Sequence, residues 1–207
     1  MGRYIPTPAF FTFDPIIRSP SVLLPAVLKS IEGEHRDLLE LMEGEDLGLE
    51  FVEGREIGLD VGTLLFLCCA QWESDVSAPM PLVSSHSMER LGRFPSENGN
   101  AIEYLLDFVA TEDDSNLPIL LKKMSEGLKR AFYEGGYDGR ENGEMGILGW
   151  LDNEEVTTLR TEIESGRWSV KSEETFDGGV QDAFRHLLVF LRSAGRRNCG
   201  IMMRSHR

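Results

Sequence analysis

"VQDAFRHLLVFLRSAGRRNCGIMMRSH", Val180 to His206, decides the fold class. Val180, Phe184, Leu187, Leu188 and Leu191 recur every three or four residues, so they line one face of a helix. Small and basic residues then break the pattern. Cys199 to Ser205 follows as a short apolar run of strand length. A helix that turns directly into a closing strand predicts an α+β protein. The expectation is about five helices packed on a small, mostly antiparallel sheet that includes residues 199–205.

The preceding stretch, "GILGWLDNEEVTTLRTEIESGRW" (Gly146–Trp168), adds a second helix. Asp152 can accept from the backbone of the first turn, and Glu155, three residues on, completes a variant of the capping box. Val156, Leu159 and Ile163 share a face, and Gly166 ends the helix. Capping alone explains the boundary at Asp152, so it needs no catalytic role. Further back, Leu117, Leu120, Leu121, Met124, Leu128, Ala131 and Phe132 form a stripe that stops at Gly135. "NAIEYLLDFVA" (100–110) and "EGEHRDLLELMEGED" (32–46) also carry helical spacing. "LDVGTLLFLCCAQW" (59–72) is apolar throughout, and periodicity leaves helix or buried strand open. Leu, Cys and Ala outnumber β-branched residues there, which favours helix.

The chain reads as a single domain over residues 1–207. Glycine-rich "EGGYDGRENGEMGILG" (134–149) reads as a long surface loop within it rather than a linker. Residues 1–30 are rich in proline and in apolar residues, and proline denies them a long helix. They are expected to be extended and packed on the body.

The 207 residues are 41% hydrophobic and 27% charged, the composition of a globular protein, and the formal net charge is −14. That average disfavours nucleic acid as a partner. The acid is concentrated. From Glu32 to Asp60 eleven carboxylates face two arginines, a local balance of −9. After Asp182 the sign reverses, with Arg185, Arg192, Arg196, Arg197, Arg204 and Arg207 and no acid. Either the basic end complements the acidic face within the domain, or that face docks a basic protein partner, with Glu40, Glu43, Glu50 and Glu53 as contact residues.

Catalytic and cofactor motifs are sparse. An EF-hand loop starting at Asp138 would place Arg140 at the third ligand position and Gly149 at the twelfth, so two ligands fail. Cys68, Cys69 and the scattered histidines have no zinc spacing, and no cofactor is implied. Adjacent cysteines in an apolar run read as inert thiols. The enzyme alternative is a small hydrolase or transferase with its polar site in the 72–93 loop. There Trp72 would be a ligand platform, Arg90 a nearby cation and His86 the acid or base. Trp150 is a second aromatic that could serve as a platform, and His186 reads as a helix-side residue without chemistry.

Three cysteines make no disulfide framework, and the longest apolar run, Leu64 to Ala70, is too short for a bilayer. No membrane association is expected, and the default location is cytoplasmic. Oligomeric state is not legible.

The last third of the chain, "LGWLDNEEVTTLRTEI" (148–163) and then "VQDAFRHLLVFLRSAGRRNCGIMMRSH" (180–206), resembles the end of the YfbM-like bacterial proteins of unknown function and of related uncharacterised families. There too a Leu-x-x-Glu-Glu-Val helix precedes a helix, a small-residue turn and a closing strand. The resemblance implies an α+β fold and a bacterial-type cytosolic protein of obscure role, and it assigns no catalytic residues. The leading expectation is an interaction protein, toxin-neutralising or regulatory, rather than an enzyme.

Overall fold

A computed structural model of the chain describes residues 10–73, 78–83, 90–91, 100–137, 145–174 and 178–206. Its centre is a four-stranded antiparallel sheet in the order β2-β1-β6-β4, from β1 (Phe10–Ile16), β2 (Arg90–Leu91), β4 (Gly146–Leu151) and β6 (Gly200–His206). The closing strand is therefore central, paired along its whole length with β1 and, on its other edge, with β4. A separate two-stranded ribbon joins β3 (Val109–Thr111) to β5 (Trp168–Val170).

Strand alternation sends side chains to both faces of the sheet. Phe11, Phe13, Leu148, Leu151, Ile201 and Met203 belong to one apolar cluster, which packs against α4 (Ala101–Phe108), α5 (Leu117–Glu126), α6 (Asn153–Ser165) and α7 (Gly179–Arg197). Ile16, Ile147, Trp150 and Met202 belong to a second cluster, with α1 (Pro20–Ile31), α2 (Arg36–Leu41) and α3 (Val61–Cys69). The fold class is α+β. The helices number seven among the described residues rather than about five.

Three local readings change. Residues 10–31 are not extended throughout, because α1 occupies twelve of them. Pro20 starts the helix, where its missing N–H is harmless. Pro25 lies inside it and frees the Ser21 carbonyl, which instead accepts from the Tyr133 hydroxyl at 3.0 Å. Next, α5 ends at Glu126 rather than near Gly135, because the Leu128 N–H is taken by the Leu148 carbonyl of β4. Last, the end of the glycine-rich stretch is strand β4, not surface loop. A Cβ on Gly149 would lie 2.0 Å from the Lys123 carbonyl oxygen, so glycine there serves close backbone approach. The segment 59–72 resolves as helix, with Asp60 capping Thr63 through its backbone N–H at 2.8 Å.

The capping box at Asp152 and Glu155 is present. Glu155 accepts from the Asp152 N–H at 2.8 Å and from Lys123 Nζ at 2.6 Å, so it ties α6 to α5 as well as capping it. Replacing Glu155 by Ala removes both contacts and is expected to cost about 1–2 kcal/mol in urea denaturation. A cost of zero would mean that solvent replaces both.

Candidate interaction surface

Residues 32–60 fold as one short helix and a long, turn-rich loop. Leu38 and Met42 face inward from α2 and are buried. Beyond them, Glu43, Gly44, Gly48 and Gly54 all adopt positive φ, so the chain reverses repeatedly without regular hydrogen bonding. Leu47, Leu49, Phe51, Ile57 and Leu59 pack in part on the second cluster, which fixes the inner side of the loop.

His35 is what ties this loop to the helices. It is fully buried. Its Nδ1 lies 2.8 Å from Ser30 Oγ of α1, and its Nε2 lies 3.1 Å from the Val52 carbonyl and 2.9 Å from the Arg55 carbonyl. Two carbonyl oxygens can only accept, so Nε2 carries the proton and donates to both. The His35 backbone N–H donates to Glu53 Oε2 at 3.2 Å, and Phe51 stands edge-on to the ring. Gly33 completes the crossing. With φ of 98°, it sits where a Cβ would lie 3.1 Å from the Arg55 backbone nitrogen. In the sequence His35 is only one of the scattered histidines without zinc spacing, which leaves this role unread. A histidine between Gly33 and a helix start was the available signal.

On the outer side the carboxylates are displayed. Glu32, Glu34, Glu40, Glu43, Glu50 and Glu56 are exposed. Glu53 is exposed too, but its carboxylate is engaged with the His35 backbone. Asp60 caps α3, Asp37 pairs with Lys29 at 2.7 Å, and Glu45 pairs with Arg18. The Lys29–Asp37 hydrogen bond raises the lysine's pKa and lowers that of the aspartate, though both side chains are solvated.

The described arginines of the basic end make their hydrogen bonds outside this block. Arg185 bonds Asp182, Arg192 bonds Glu164, and Arg196 bonds Ser193 Oγ. Arg197 donates to the Pro81 carbonyl and to Gln71 Oε1, and Arg204 pairs with Asp14. These five arginines have partners outside residues 32–60, and Arg207 lies outside the described residues. None of these five arginines is bonded directly to a carboxylate of the acidic block.

Of the residues named for the enzyme alternative, the structure describes Trp72 and Arg90. Trp72 is partly buried, with its indole N–H donating to the Leu67 carbonyl at 3.0 Å and its ring edge-on to Phe66. His86 lies outside the described residues. Arg90 is paired in register with Thr12, whose other neighbour is Arg204. Arg204 makes two hydrogen bonds to Asp14, at 2.6 and 2.9 Å, and its guanidinium lies over the Phe66 ring. Both oxygens of this carboxylate are committed to the arginine, which suits a structural pair better than an acid or base.

All three cysteines are buried and free. Burial pushes the Cys68 thiol up to about 12 and the Cys69 thiol well above its ordinary value, so neither is a thiolate at neutral pH. Trp150 is buried in the second cluster under Lys123 and Tyr133, a packing position. His186 is exposed on α7. No group of three His, Cys, Asp or Glu side chains that could hold a metal occurs among the described residues, and none of their helices is long and apolar enough to cross a membrane. Comparison of the chain with family models, with curated proteins and with solved structures finds no match.

Proposed function

We propose that the protein is a non-enzymatic interaction module of toxin-neutralising or regulatory type, whose 32–60 surface docks a basic protein partner. One observation supports this reading above the others. The 32–60 block has a sequence balance of −9, and although Asp37 and Glu45 pair with Lys29 and Arg18, its other exposed carboxylates stand on a short helix and a pinned loop while the described arginines of the basic end are bonded elsewhere. Like charges exposed close together in one segment repel each other and weaken the fold slightly, so the composition favours an opposite charge arriving from outside.

Electrostatic docking has a kinetic signature. Attraction speeds encounter, and salt removes it as the Debye length shrinks from roughly 10 Å at 0.1 M to about 3 Å at 1 M. Glu40, Glu43, Glu50 and Glu56 are the residues to neutralise, because Glu53 also supports the loop through His35. Replacing those four by Gln is expected to leave the melting temperature unchanged or slightly higher. Capture of the partner from native lysate at low salt should fall at least tenfold. Equal recovery by the variant and the parent, at low salt, ends the docking reading.

A further inference from the structure

We infer that the acidic surface reads more than charge: its partner segment carries a bulky apolar residue between basic ones, seated in a groove of the loop itself. This inference rests on the reading of residues 32–60 as a docking surface.

The loop between Leu49 and Leu59 curls around an open groove of about 300 Å³. Leu49, Val52, Ile57 and Leu59 supply its apolar walls, and Glu50 and Glu56 are the carboxylates among its lining residues. Val52 is 43% exposed, although Phe51 beside it packs inward on His35. Its methyls therefore remain accessible, whereas Leu49, Ile57 and Leu59 line the groove while also packing in part on the second cluster. The groove is at the small end of the roughly 300–1,000 Å³ range of ligand pockets, enough for one large side chain.

Charge complementarity selects the occupant. An isolated apolar ligand would leave Glu50 and Glu56 solvated and gain nothing from the surrounding carboxylates. A peptide segment with Lys or Arg flanking a Leu or aromatic residue satisfies both features at once. The apolar anchor desolvates in the groove, and the cations meet the lining carboxylates Glu50 and Glu56. Arg55 also lines the groove and repels a cation placed directly above it, which favours an uncharged residue at the centre of the segment. The loop is already held by His35, so binding orders little new chain.

The test uses the full chain and synthetic nonapeptides of Lys and Arg that differ only in the central residue, Ala, Leu or Trp. Binding is read by fluorescence anisotropy at low salt. The Leu and Trp peptides are expected to bind the parent at least about tenfold more tightly than the Ala peptide. In Val52→Ser this preference should shrink to about twofold, with an unchanged melting temperature because the side chain is already half exposed. In the four-Gln variant all three peptides should weaken together. Equal affinity for the three peptides, lost in the Gln variant, overturns the groove and leaves a charge-only dock. No binding by any of them overturns the surface as well. Concentration-dependent self-association that Val52→Ser abolishes overturns the inference in favour of a second copy as occupant.

Discussion

Replacing Asp14 by Ala is expected to lower stability by about 3–5 kcal/mol, among the largest effects of any single substitution outside the apolar core. The carboxylate and its partner Arg204 are only 11% and 15% exposed, and two hydrogen bonds join them across neighbouring strands. Removing the acid leaves a largely desolvated guanidinium over the Phe66 ring, whose face compensates only part of its lost hydration. Removing both charges is a different experiment. Asp14→Leu combined with Arg204→Met leaves no orphaned ion and is expected to be close to neutral. The readout is the urea midpoint at constant slope, since a changed slope would signal a different unfolded or native state. A single-variant cost under 1 kcal/mol would mean that water reaches the pair.

The same pair shows where sequence reading stops. Asp14 and Arg204 are 190 residues apart, and no local pattern links them. They meet because β1 and β6 pair antiparallel with Thr12 opposite Arg204, a register that emerges only from the assembled sheet. Local signals fared better. The α7 stripe, the Asp152–Glu155 cap and the strand after Asn198 depend on neighbours within a few residues, and each is legible in the chain.

Glycine and proline misled for one shared reason. Their usual meaning, loop or extended chain, assumes that nothing outside the segment completes the backbone. At Pro25 a tyrosine from residue 133 supplies the missing donor, and at Gly149 the end of α5 lies where a side chain would be. The acidic block was legible as composition, but its presentation was not. That required seeing that the tail arginines bond elsewhere and that one buried histidine holds the loop.

Replacing that histidine separates charge from shape. In His35→Ala, the carbonyls of Val52 and Arg55 and the Ser30 hydroxyl lose their partner, and the imidazole leaves a cavity against Phe51. Orphaned buried polar groups cost about 1–3 kcal/mol each when water cannot reach them, so a total loss of about 3 kcal/mol is expected. The loss should be local before it is global. Amide exchange in residues 42–59 should accelerate well ahead of exchange in β1 and β6. Every carboxylate of the surface survives this substitution, so long-range attraction survives with them. The association rate of a basic partner should therefore stay within about twofold of the parent, while dissociation speeds up tenfold or more because the loop must be ordered on binding. The four-Gln variant should do the reverse, slowing association and sparing stability. Were His35→Ala to slow association as much as the Gln variant, the loop's shape would govern encounter, and steering by the acidic block would have to be abandoned.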